Sequence, residues 1–466
     1  MRRAGVGVIV VLAVVAAALV SKGADAGQSL KRASRNEKSG WIFVHLEGTP
    51  AEIGYQHGHL LAQEIREAQR ITAFLMEHDT KQNWAFYRDA ARDMLWPKVP
   101  QEYREELQGM SEGLAARGVK LDAFDLTAMN AWMELSGYWF KWQEAQRGVS
   151  VQPAPPEHCS AFVATGSYTK SGQPVIGHNS WTGYIEGARW NIVFDIRPRN
   201  GNRILMDGFP GLIHSADDFG INSAGMMITE TTISGFSGFD PKGIPEFVRA
   251  RQAMQYAASI DDFARIMREG NNGGYANNWL VADRKTGEIA RLELGLKHVT
   301  LQRTKDGYFA GANFPVNEKL AREETDFATT DLSKSPNARR IRWDQLMVEY
   351  QGKIDTFVAQ RMLSDHLDTF TRKKEASERT LCGHIDLSPR GTPPWQPPYG
   401  PAGTVQAKVS DATMAEFMAF TAAMGHPCGL DFDAVPFLRK HPEFAWQKEY
   451  LRDLPARVWT EFRATR

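Results

Sequence analysis

The stretch Glu157-His158-Cys159-Ser160-Ala161-Phe162-Val163-Ala164-Thr165 decides the reading of this chain, because of what stands in front of it. Pro153, Pro155 and Pro156 fall within Gly148 to Glu157, a segment that can continue neither a helix nor a central strand. An exposed linker therefore runs straight into a strand, and Cys159 stands at its head. A free cysteine in that place is ordinarily a small core residue. The other reading is chemical. A thiolate that attacks a carbonyl needs a base beside it and donors for the oxyanion. If the bond between His158 and Cys159 is cut, the new α-amino group, with an ordinary pKa of about 8, can be that base. No separate catalytic histidine is then required.

Outward from Cys159, polar groups recur at the ends of short strand-like runs. Gly177-His178-Asn179-Ser180-Trp181 follows the next run, Thr229-Glu230-Thr231-Thr232 ends another, and Tyr275-Ala276-Asn277-Asn278-Trp279 opens a third. Each has a plain structural alternative. His178 can be a satisfied strand-end histidine, Trp181 a core wall, and the asparagine pair a turn. Further strand-like runs are Pro174 to Gly177, Asn191 to Ile196, Arg203 to Asp207, Met226 to Thr232 and Trp279 to Ala282. Helical periodicity covers Pro50 to about Glu144, with Leu61, Ile65, Ile71 and Leu75 near one face, and Leu107, Met110 and Leu114 near another. It returns over Ile244–Glu269, Ala338–Tyr350 and Ala412–Met424. Helices on both sides of a strand block predict an α+β fold with a layered sheet core.

The segment from His158 to Tyr184 resembles the nucleophile region of the phospholipase B-like family, with Cys-Ser-Ala at the head and Gly-His-Asn-x-Trp after it. Glu230-Thr231-Thr232-Ile233, Asn277-Asn278-Trp279 and the region from Ile385-Asp386-Leu387 to Lys408 resemble further family segments, in the same order. The resemblance implies an αββα sandwich of the N-terminal nucleophile type, matured by self-cleavage between His158 and Cys159. It implies an acyl amide or acyl ester hydrolase with a small-molecule or lipid acyl substrate and no metal or organic cofactor. Cys159 would be the nucleophile and Asn278 the oxyanion-side asparagine. His178, Trp181, and Thr231 or Thr232 would line the site. Related penicillin acyltransferase (C45) and bile-salt hydrolase families place an arginine near the nucleophile, and Arg339 matches it best, with Arg340 beside it. Gly383-His384-Ile385-Asp386-Leu387 departs from the Arg-Gly-Asp-Leu of eukaryotic members, as Val405-Gln406-Ala407 does from their acidic step. The competing readings are a C45-type acyltransferase or peptidase, a papain-like thiol hydrolase, and an inactive binding protein of the same fold. The papain-like reading expects a helix after the cysteine, whereas Ala161 to Thr165 alternates as a strand does.

Arg2 and Arg3, the apolar run Val8 to Val20 and the small residues of Ala24-Asp25-Ala26 read as a signal peptide over residues 1–26. The run is shorter than the roughly 20 apolar residues of a membrane span, so a secreted or periplasmic chain without an integral membrane segment is expected. The absence of any Asn-x-Ser/Thr sequon leans toward a periplasm. Formal charge is zero over all 466 residues, which offers no attraction to nucleic acid or an anionic membrane. Three cysteines are too few for a disulfide scaffold, although Cys382 and Cys428 could pair. His57 and His59 do not share a helix face and have no third ligand nearby, so no metal is expected there. The expected organisation is a helical N-terminal segment, 27–158, retained after cleavage, and a hydrolase core, 159–466.

Overall fold

The computed structural model describes residues 27–149, 158–216, 219–391 and 398–465. The expected signal peptide and the linker residues 150–157 lie outside these. Seventeen strands are seen among the described residues. In chain order the first twelve are β1 (Ser34–Lys38), β2 (Trp41–Gly48), β3 (His158–Thr165), β4 (Val175–Gly183), β5 (Ile192–Pro198), β6 (Ile204–Gly208), β7 (Gly220–Asn222), β8 (Met226–Thr232), β9 (Asn277–Asp283), β10 (Glu288–Leu294), β11 (Val299–Thr304) and β12 (Gly307–Gly311). A short ribbon of β13 (Leu367–Asp368) and β14 (Lys373–Lys374) follows, then β15 (Ala402–Asp411), β16 (Ala419–Met424) and β17 (Thr460–Arg463). One sheet runs β1-β2-β5-β6-β7-β8-β9-β10-β11 and the other β12-β3-β4-β15-β16-β17.

Strand periodicity sets the layers, because successive side chains leave opposite faces. From β3, Ala161 and Val163 enter a core shared with Val193, Leu205 and Leu280 of the opposite sheet. Phe162 and Ala164 point the other way, toward Trp343 and Leu346 of the helix Ser335–Glu349. The outer face of the nine-stranded sheet, with Val44, Phe194, Trp279 and Val281, is covered by the helical residues Ile53, Leu107, Met110 and Phe247. Helices, two sheets and helices form the expected αββα sandwich.

The segment before Cys159 is built into this core. β2 lies parallel to β5, pairing Val44 with Phe194 and Leu46 with Ile196. Thr49 then caps the helix Pro50–Leu60, in a capping box with Glu52 and with Pro50 in the first turn. That helix crosses Gln101–Ala115 at backbone contact. A Cβ on Gly54 would sit 1.8 Å from the Glu106 carbonyl oxygen, and one on Gly109 would sit 2.2 Å from that of Ala51. Gly58 and Gly113 meet Met110 and Tyr55 in the same way. Two Gly-x-x-x-Gly stripes thus fix the crossing, which no larger residue could occupy.

Ala412–Met424 corrects the sequence reading. Only Ala412–Glu416 is helical, and Ala419–Met424 is β16, paired on both edges. Its alanines favour a helix locally, but pairing with β15 and β17 overrides that preference. Within 27–158, the run Gly40 to Val44 reads as a strand and is found in β2, while β1 is an addition to that reading.

One ion pair crosses between the sheets. Lys408 of β15 donates to Asp207 of β6 at 2.9 Å, and both side chains are fully buried. Lys408 also donates to Ser180 of β4, and Ser215 donates to Asp207. Removing one partner strands the other charge, so Lys408→Met should cost about 3–5 kcal/mol in urea unfolding. The double variant Lys408→Met/Asp207→Leu should recover most of that loss.

Acid should destabilise the fold through its buried imidazoles. Burial, followed by the charge of Arg251, pushes His57 down to about 3, where its Nε2 accepts the Gly211 N–H. Burial also pushes His214 down to about 3. In the unfolded chain both take up protons near their ordinary value of about 6.5, so the unfolded state binds more protons below that pH. Stability should therefore fall as pH drops from about 6.5 toward 4. His57→Gln, followed by urea midpoints across this range, should show a shallower fall.

Candidate active site

Pairing of β3 with β4 sets Cys159 opposite Ser180, Ser160 opposite Asn179 and Ala161 opposite His178. Cys159 is 3% exposed, yet polar groups surround it. Its sulfur, a ring nitrogen of His178 and a carboxylate oxygen of Glu230 all lie within 4.8 Å of one another. Burial, and then the neighbouring Lys408, hold His178 well below its ordinary pKa, so its imidazole is neutral. Glu230 is fully buried and accepts from the Tyr275 hydroxyl at 3.2 Å.

Two side chains grip the Cys159 backbone. Its N–H donates to Asn313 Oδ1 at 3.0 Å. Its carbonyl accepts from Arg339 Nη1, which also reaches Ser160 Oγ, while Nη2 donates to Asn313 Oδ1 at 3.0 Å. Arg339 is held in turn, with Nε donating to Ser335 Oγ at 3.0 Å and the guanidinium stacked 4.4 Å from the Trp181 ring. Burial pushes its pKa down to about 9, opposed by the Cys159 thiol, and it stays charged at neutral pH. Arg340 is exposed and lies over Phe314 instead.

The ends of β8 and β9 complete the surroundings. Thr231 pairs with Asn278 and Thr232 with Asn277. Gly311 at the end of β12 lets that strand close on Thr231, since a Cβ there would sit 2.3 Å from Thr231 Oγ1. Asn278 Nδ2 donates to the Phe314 carbonyl and Asn313 Nδ2 to that of Thr232. The hydroxyls of Thr231, Thr232 and Ser234, the whole amide of Asn277 and Oδ1 of Asn278 are buried, with no hydrogen-bond partner among the described residues. Such orphans are uncommon in a native interior, and their concentration here marks a place where polar ligand groups can bind.

The profile of a known family, described as Phospholipase B, matches residues 53–459. This chain belongs to the Phospholipase B family. Putative phospholipase B-like 1 of Caenorhabditis elegans is 25% identical over 335 residues, covering 64% of this chain and 56% of the relative. Putative phospholipase B-like 2 of Rattus norvegicus is 26% identical, covering 59% and 52%. Phospholipase B of Crotalus adamanteus is 26% identical, covering 58% and 52%. The chain thus spans about half the length of these relatives. Among solved structures, a variant of conjugated bile acid hydrolase from Clostridium perfringens overlaps 57% of this chain and 81% of its own, at 12% identity and a TM-score of 0.29.

In this family member the structure gathers Cys159, His178, Trp181, Thr231, Thr232, Asn278 and Arg339 at one end of the facing sheets. His178 faces the thiol, whereas Trp181 supports Arg339. Asn313 was missed from the sequence. It stands outside every run with a motif, and its contact with Cys159 spans 154 positions. Its one signal is a left-handed backbone, φ 66°, which asparagine tolerates.

The two arginines should separate in unfolding experiments. Arg339→Met removes a buried donor from the Cys159 carbonyl and from Ser335 Oγ, and should cost several times more than Arg340→Met, expected within about 0.5 kcal/mol of the parent.

Proposed function

We propose that this chain is an exported, self-processing cysteine hydrolase of the N-terminal nucleophile kind, cleaving an acyl amide or acyl ester bond. One observation carries the reading: Asn313 and Arg339, both buried, converge on the backbone N–H and carbonyl of Cys159. A cysteine that merely filled space would sit among apolar groups, with its backbone satisfied by the sheet. Membership of the Phospholipase B family and the orphaned polar atoms on β8 and β9 support the same conclusion.

In maturation the Cys159 thiol adds to the His158 carbonyl carbon, the C–N bond breaks, and the nitrogen takes the proton. Water then hydrolyses the thioester, leaving a free thiol and a free amine on Cys159. Asn313 Oδ1 already accepts from that nitrogen, so the new amine stays beside the sulfur. In turnover the amine takes the thiol proton as sulfur attacks the acyl carbonyl and passes that proton to the leaving amine or alcohol; water then hydrolyses the acyl thioester, releasing the carboxylic acid and restoring the thiol. Asn278 supplies the amide hydrogen not engaged by Phe314 to the oxyanion. Thr231, Thr232 and the neutral His178 line the acyl side, and Arg339 holds Cys159 in place. Residues 27–158 stay bound after the cut, because β2 and the glycine-striped helix pair belong to the shared core. No helix among the described residues is long and apolar enough to cross a membrane.

Intact mass tests the maturation step. The parent should split before Cys159 into two chains that copurify, and Cys159→Ala should stay whole with an unchanged circular dichroism spectrum. Cleavage of the alanine variant at this bond would refute self-processing.

Turnover is tested on a two-chain form whose second chain starts at Cys159, assayed with N-acyl amides and phospholipids. Asn278→Ala should lower kcat by roughly 100-fold with little change in KM. Asn313→Gly, which keeps the backbone free to hold its positive φ, should abolish the amine's role and shift the pH profile. A near-normal kcat for Asn278→Ala would remove that residue from the mechanism.

A further inference from the structure

Behind the site, three segments distant in sequence bring two cysteines and two histidines together. His366 follows the helix Thr356–Leu363, Cys382 and His384 lie in the loop leading to β15, and Cys428 follows β16. One ligand-capable atom from each of the four lies within 4.8 Å of all the others. Cys382 and Cys428 are not joined as a disulfide. We propose that His366, Cys382, His384 and Cys428 form a structural zinc site.

The donor set fits the metal. Two sulfurs and two imidazoles are a common structural zinc set, and they suit this borderline-soft ion better than calcium or magnesium, which take oxygen. With Zn–S about 2.3 Å and Zn–N about 2.0–2.1 Å, tetrahedral ligands lie about 3.3–3.8 Å apart. The His384 Nε2 to Cys428 Sγ separation is 3.5 Å. His366 Nε2 is buried with no hydrogen-bond partner among the described residues. A carboxylate stands near His384, where a metal-bound histidine usually has one. Asp386 lies 3.7 Å from His384 Nδ1 and accepts from the Tyr184 hydroxyl at 2.9 Å. The Cys382 N–H donates to the Asp365 carbonyl at 3.1 Å, tying the loop to the residue before His366.

The location gives the site a purpose. Between Cys382 and His384 stands Gly383, at φ 61°, where a Cβ would come 2.1 Å from the Trp181 ring. Trp181 is the surface on which Arg339 stacks. A metal pinning residues 382 and 384 would hold Gly383 flush against Trp181, and through it the arginine that grips Cys159. The segment 364–388 has little regular structure of its own, so a metal would supply the cross-link it otherwise lacks.

Metal analysis of the full chain tests this. Purified protein should carry about one zinc per chain, as a four-ligand site requires, and chelation should lower Tm reversibly on zinc return. Cobalt loaded into the chelated protein should show thiolate charge-transfer and tetrahedral d–d bands, and Cys428→Ser should lose both. Cys159→Ala must keep the zinc, because the cluster of Cys159, His178 and Glu230 is a separate grouping that could hold it, and the thiolate bands separate the proposed site from the third grouping, His384, Asp386 and His426. Zinc well below one per chain, a Cys382–Cys428 disulfide in the peptide map, or loss of metal in Cys159→Ala would each overturn the assignment. None of these outcomes depends on hydrolase activity.

Discussion

The buried pair Lys408–Asp207 is the constraint on which the rest of the sandwich depends. Apolar residues alone would hold the sheets together while leaving their relative position loosely specified. A charge pair sealed between them is costly to misalign, because any slip strands an ion in a medium that cannot solvate it. Lys408 also donates to Ser180, which lies opposite Cys159 in the β3–β4 register. The interaction that positions the sheets therefore ends beside the cysteine.

A second constraint works from outside. Arg339 reaches through from the helix layer to the Cys159 carbonyl, braced by Trp181 on one side and Ser335 on the other. The thiol points into the space between the sheets while its backbone is fixed from the helix side. Alternation of side chains along one strand makes this division possible, with the Cys159 sulfur on one face and its support on the other. Gly383 and the proposed metal site stand behind that support, so the cysteine is backed by layers at increasing distance.

The chain before Cys159 supplies an edge of the nine-stranded sheet and much of its helical cover. Parallel strands cannot be joined by a tight turn, and β2 and β5 are separated by the helices between Pro50 and Gln146 and by β3 and β4. A cut in that connection leaves the sheet pairing intact. The proposed cut before Cys159 is therefore compatible with a fold whose core spans both sides of it.

Much of this was legible in the residues. The proline-rich stretch, the strand headed by Cys159 and the order of the polar motifs are all local patterns, set by backbone propensity and spacing. Arg339 was preferred over Arg340 by resemblance alone; the physical difference between them, one buried and one exposed, exists only once the helix has a partner. Asn313 carries no motif, and β16 reads locally as a helix. The gathering of His366, Cys382, His384 and Cys428 depends on loops arranged by β15 and β16. Those features rest on contacts between residues far apart in the chain, and such contacts leave no periodic trace. The sequence by itself singled out Cys159 as the proposed nucleophile and the bond before it as the proposed cut, from the proline-rich stretch and the strand that follows it. Tertiary structure decided which groups surround that residue, because sheet register and the packing of the helix layer on the six-stranded sheet bring them within reach.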